Sequence, residues 1–140
     1  MISRPENWPD LLANHLQSWR WKEFTWGQTD CVHFAAEWLS IMGHASPLAG
    51  LPEWSSALSA ARTFNALGGF EHAVQAQMAA LELPEIPLSF AMRGDLAIVR
   101  IDSERLALGI VNGRGVAVRC ADLGVSEIPY RANAVRAWKV

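Results

Sequence analysis

Trp26-Gly27-Gln28-Thr29-Asp30-Cys31-Val32-His33-Phe34 marks a break in the chain followed at once by a helix. From Cys31 to Met42 the residues Val32, Ala35, Leu39 and Met42 recur on one helical face, and Gly43 predicts the stop. The spacing therefore puts Cys31 in the first turn. A thiol there sits near unpaired backbone N–H groups and the positive end of the helix dipole, and both favour thiolate. The same N–H groups could stabilise an oxyanion. Asp30 opposes this if its carboxylate points at the sulfur. A cysteine is just as often a small buried apolar residue, so position alone does not make it a nucleophile.

Working outward, the first half reads as helices. Asn7-Trp8-Pro9-Asp10 is a helix start, followed by Leu11, Leu12, His15, Leu16 and Trp19 at helical spacing. Residues 45–54 form a loop with Pro47, Gly50 and Pro52. Ser55 or Ser56 caps a third helix bearing Leu58, Ala61 and Phe64 and closed by Gly68-Gly69. Phe70, Val74, Met78 and Leu81 suggest a fourth, which Pro84 and Pro87 prevent from continuing. After Gly94-Asp95 the pattern turns to strands: 96–101, 106–111 and 116–120, with the hairpin signal Asn112-Gly113 between the last two, and a further run at 134–140. Gly94-Asp95 reads as a turn into a strand, with Asp95 in a structural role. Helices first and antiparallel strands afterwards predict one α+β domain over residues 1–140.

Composition agrees with a folded domain. Of 140 residues, 51% are hydrophobic and 19% charged, and the net charge of −2 carries no basic run that would favour nucleic acid. No segment approaches the ~20 apolar residues of a membrane span, and the polar N-terminus lacks an apolar signal core. Cys31 and Cys120 make neither a disulfide framework nor a zinc site, so no metal or cofactor is expected. A Cys31–Cys120 bridge is conceivable on geometry that the sequence does not fix. Of the seven tryptophans, most are expected in the core. Trp8, Trp21 and Trp54 are the candidates for contacts with a partner, on the N-terminal segment and the 45–54 loop.

The Asp30-Cys31 pair at a helix start, together with Gly94-Asp95-Leu96-Ala97-Ile98-Val99, resembles the NlpC-like, papain-fold cell-wall peptidases over about residues 25–120. The resemblance implies a papain-like fold with N-terminal helices packed on a C-terminal antiparallel sheet. It makes Cys31 the nucleophile position and Asp30 its motif neighbour. It also implies a histidine early in the strand Leu106-Ala107-Leu108-Gly109-Ile110-Val111, but Ala107 or a neighbour stands there. The third polar residue would fall near Val118 or Arg119, and neither serves an imidazole in the usual way.

Other histidines are poor substitutes. His33 is ~200° around the helix from Cys31 and is expected to pair with Glu37. His44 lies a helix length away, roughly 20 Å. His15 and His72 belong to other helices. A thiol with no positioned base forfeits ~10²–10⁴-fold in rate. The chain is also similar to small phage and prophage proteins encoded among tail genes, whose ends read like Ala137-Trp138-Lys139-Val140. That resemblance implies a tail-tip or baseplate component that helps assemble or close the tail hub. Its partners would be other tail proteins, with a remnant affinity for peptidoglycan peptide. It would reside in the bacterial host cytoplasm during assembly and then in the virion tail. The alternative is a cysteine peptidase or amidase using Cys31, with His15, His44 or His72 recruited in space. A third reading is a small adaptor or immunity protein unrelated to phage.

Overall fold

The computed structural model describes residues 2–119 and 124–140. Cys120, and with it the Cys31–Cys120 pairing, lies outside the described residues. Helix α1 spans Trp8–Trp19, α2 Cys31–Ile41, α3 Ala57–Ala66 and α4 Phe70–Ala80. Strand β1 (Glu85–Ile86) and a 3-10 turn (Leu88–Phe90) follow. Then come β2 (Leu96–Arg100), β3 (Leu106–Asn112), β4 (Gly115–Val118), β5 (Ser126–Pro129), the short α5 (Tyr130–Asn133) and β6 (Ala134–Trp138). Among the described residues the strands form one antiparallel sheet in the order β1-β6-β2-β3-β4-β5. This is the expected α+β architecture.

The sheet is apolar on both faces because its strands alternate two sets of hydrophobic side chains. Leu96, Ile98, Leu108, Ile110 and Trp138 meet Leu12 and Trp19 of α1, Phe34, Ala35, Trp38 and Leu39 of α2, and Val74 and Met78 of α4. Each large side chain buried there contributes roughly 1.5–3 kcal/mol. Ala97, Val99, Ala107, Val111, Val116, Val118 and Ala137 make a second cluster. Tyr130 of α5 packs against it, and the Tyr130 hydroxyl donates to the Leu88 carbonyl, tying α5 to the 3-10 turn. Gly109 lets β3 and β4 close up at this point. A Cβ there would lie 2.5 Å from the Ala117 carbonyl oxygen and 2.6 Å from a Val118 methyl.

Gly94-Asp95 fastens the helical layer to the sheet and one end of the chain to the other. The indole N–H of Trp38 donates to the Gly94 carbonyl at 2.8 Å. The Asp95 carboxylate, fully buried, accepts from Met92 N at 3.0 Å, Val140 N at 3.0 Å and the Arg4 guanidinium at 2.7 Å. The local turn bond was expected; the bonds to Arg4 and Val140 join residues far apart in sequence.

One expectation about the packing of the helices needs correction. The third helix forms and Ser56 caps it in a reciprocal capping box with Ser59, and Phe64 packs inward as expected, but Leu58 is 60% exposed, Ala61 is exposed too, and Ala60 turns inward. The last strand expected at 134–140 forms as β6, Ala134–Trp138, and lies between β1 and β2. The strands β1 and β5 were not foreseen, being short and without clear alternation.

His15 is 2% exposed and stacks on Phe34 with ring centroids 4.9 Å apart. Its Nε2 donates to the Phe34 carbonyl at 3.0 Å, and its Nδ1 has no hydrogen-bond partner among the described residues. Burial lowers its pKa below the ordinary 6.5, partly offset by the Phe34 bond. Below about pH 6.5 the unfolded chain therefore binds a proton that the folded chain refuses, and stability falls as pH falls until the folded value is passed. His15→Phe is expected to flatten that slope between about pH 7.5 and 5.5 in urea unfolding, leaving the contribution of His44, which burial lowers in the same direction. An unchanged slope would show that His15 is solvated.

Candidate functional site

The head of α2 is built around a buried carboxylate. Asp30 is 2% exposed and is the N-cap of α2. One oxygen accepts from His33 N at 3.1 Å and from His33 Nδ1 at 2.7 Å; the other accepts from Gly27 N at 2.9 Å and from Trp54 Nε1 at 2.7 Å. Burial by itself would raise the Asp30 carboxyl, but the hydrogen bonds from His33, Gly27 and Trp54 outweigh it and hold the pKa below the usual carboxylate value. The carboxylate is thus spent on holding the loop, the helix start and two rings. Gly27 is required here: its φ is +79°, and a Cβ would sit 1.8 Å from the Trp54 carbonyl oxygen.

His33 therefore faces Asp30 and not Glu37. Glu37 instead accepts from the indole of Trp19. The i,i+3 partner wins because it is buried and fixed as a cap, whereas Glu37 stands on the exposed side of the helix.

Cys31 is half-buried. It lines a largely apolar cavity of about 260 Å³ with Val32, Ala60, Phe64, Phe70 and Leu106, the first residue of β3. It packs against the cluster containing Ala107 and Val118, and against Val32, Trp54 and Ala60. So at the two places where the resemblance would put a base and its partner, β3 and β4 offer a methyl and an isopropyl group, both buried. Arg119 is 1% exposed, and its guanidinium donates to the carbonyls of Thr29 at 3.0 Å, Gly124 at 2.7 Å and Lys22. It thereby fixes the backbone just before Asp30.

Among the described residues no histidine lines the Cys31 cavity. His15 is in the main core against Phe34 and Trp38, His44 lines a different cavity with Arg4 and Trp8, and His72 is exposed on α4 beside Gly68.

The three tryptophans singled out for partner contact divide. Trp21 is 70% exposed. Trp8 is half-buried beneath the Arg4 guanidinium, 4.5 Å from the ring centre. Trp54 is 6% exposed and donates to Asp30, so it is an inner part of the site and not a docking residue. That role was not visible in the sequence, since Trp54 and Asp30 are 24 positions apart. Exposed apolar side chains that the sequence reading passed over are Phe90, 70% exposed, and Met92, 52% exposed.

Among the described residues no group of three or more His, Cys, Asp or Glu side chains could hold a metal ion, and no helix is long and apolar enough to cross a membrane. No curated protein matches the chain. A family model covers residues 3–140, so the chain belongs to the family described as a domain of unknown function, DUF6950.

Proposed function

We propose that this chain is a structural component of a bacteriophage tail tip or baseplate, built on an NlpC-like peptidase fold whose chemistry has been lost. The observation that carries this reading is the apolar lining at Cys31. The thiol stands at the head of α2, as a nucleophile would, while Ala107 and Val118 occupy the places of its proton acceptor and orienting residue. A fold keeps its packing when its chemistry goes, because function resides in a site grafted on it. Asp30, Gly94 and Asp95, the motif residues that remain, are all engaged in holding the structure. The tail assignment draws its support from the resemblance to tail-gene proteins. Trp21, Phe90 and Met92, left open to solvent, are apolar contacts that a subunit can bury on assembly.

The test uses a phage or prophage that encodes the chain. The protein is expected in purified tails by mass spectrometry, and Cys31→Ser is expected to leave the titre unchanged. Trp21→Ala should weaken docking by about 2 kcal/mol or more if Trp21 is an interface anchor. Absence from the particle overturns the tail reading. Release of peptides from purified peptidoglycan by the wild-type chain, abolished by Cys31→Ser, would instead establish a cysteine peptidase.

A further inference from the structure

Next to the Cys31 cavity, with which it shares Trp26 and Trp54, His33 opens onto a second cavity of about 510 Å³, within the size range of small-molecule sites. Its walls include Trp26, Gln28, His33, Leu51, Glu53 and Ser55. The imidazole is pre-oriented. Its Nδ1–H is donated to a carboxylate that also takes three other hydrogen bonds, so in the neutral ring Nε2 is the acceptor. His33 keeps 25% of its side chain accessible, whereas Asp30 keeps 3%. An imidazole held this way by a buried carboxylate loses little freedom when it receives a ligand.

The chemistry of the walls selects the ligand. Among the described residues neither Lys nor Arg lines the cavity, and Glu53 adds a negative charge, which disfavours phosphates and carboxylates. The polar residues in the lining are mixed in character: an imidazole Nε2 and a carboxylate accept, whereas the amide of Gln28 and the hydroxyl of Ser55 can do both. An ammonium group only donates and would leave the amide and hydroxyl donors unanswered. A hydroxyl group both donates and accepts. Trp26, 37% exposed, adds a flat apolar surface at the cavity wall. We propose that this cavity binds a neutral, hydroxyl-rich ligand of the saccharide class, with His33 Nε2 accepting from a hydroxyl and Trp26 covering a face of the ring. The proposal does not depend on whether Cys31 reacts or on where the chain is assembled.

The test is a titration of the purified chain with glucose, N-acetylglucosamine and cellobiose. It is followed by Trp fluorescence and by the imidazole ¹⁵N resonances of His33. At least one sugar is expected to give a saturable shift of His33 Nε2 and a Trp26 response, with Kd near about 1 mM. His33→Ala and Trp26→Ala should each weaken it at least about tenfold. Gln28→Ala, at an exposed loop position, should also weaken it and covers the case in which loss of His33 disturbs the helix start. Inorganic phosphate and n-butylammonium serve as the anionic and cationic probes. The proposal is overturned if no sugar gives a saturable response up to about 100 mM, if the response is untouched by these variants, or if either ionic probe binds more tightly than every sugar.

Discussion

Asp95→Ala is expected to lower the unfolding free energy by about 3–5 kcal/mol, the cost of breaking a buried charge pair from one side. In a chain of this size that corresponds to a fall in melting temperature of roughly 10–20 °C. The reason is the placement of the carboxylate. Asp95 is fully buried between β2 and the Arg4 guanidinium, whose own side chain is only 14% exposed. Removing it strands the N–H groups of Met92 and Val140 and leaves Arg4 held by carbonyls alone, those of Arg93 at 2.7 Å and Val140 at 2.7 Å. Asp95→Asn should lose less, since the amide oxygen can still accept from one of these donors. Urea unfolding of the three proteins checks this. A loss under about 1 kcal/mol for Asp95→Ala would mean that the pair behaves like an exposed surface bridge.

Asp30→Ala is the second large effect, expected at about 2–4 kcal/mol. Loss of an N-cap contributes ~0.5–2 kcal/mol, and orphaning the buried indole N–H of Trp54 adds ~1–3 kcal/mol. The same change should uncouple His33 and loosen the loop before α2. Because the Asp30 pKa is held below its ordinary value of 3.8, its contribution is present above that value and is lost as pH falls through the depressed folded value. Cys31→Ser is the comparison: it leaves every Asp30 hydrogen bond in place and should cost far less. If Asp30→Ala left both stability and the fluorescence of Trp54 unchanged, the carboxylate would be free for a role outside the fold.

These effects also separate what a short motif can say from what it cannot. Asp30-Cys31 and Gly94-Asp95 drew attention as a resemblance to a catalytic family. In the folded chain Asp30 joins Gly27, His33 and Trp54, and Asp95 joins Arg4, Met92 and Val140. Both acids are structural anchors, and each is placed where a helix or strand must begin. The expected His33–Glu37 pair failed for a related reason. Spacing along a helix allows both i−3 and i+4 partners, and only the burial of Asp30 chooses between them.

The sequence by itself determined what depends on neighbours a few residues away. The 3.6-residue period marked α1, α2 and α4, Ser56 marked the start of α3, and Asn112-Gly113 marked the β3–β4 turn. Tertiary structure alone decided the place of β6 between β1 and β2, the inward face of α3, the burial of Trp54 and the cavity beside His33. Local propensity is set by steric and hydrogen-bonding choices within a turn or a strand. Sheet order and buried polar networks are set by which distant surfaces pack together, and no short-range pattern in the chain records that.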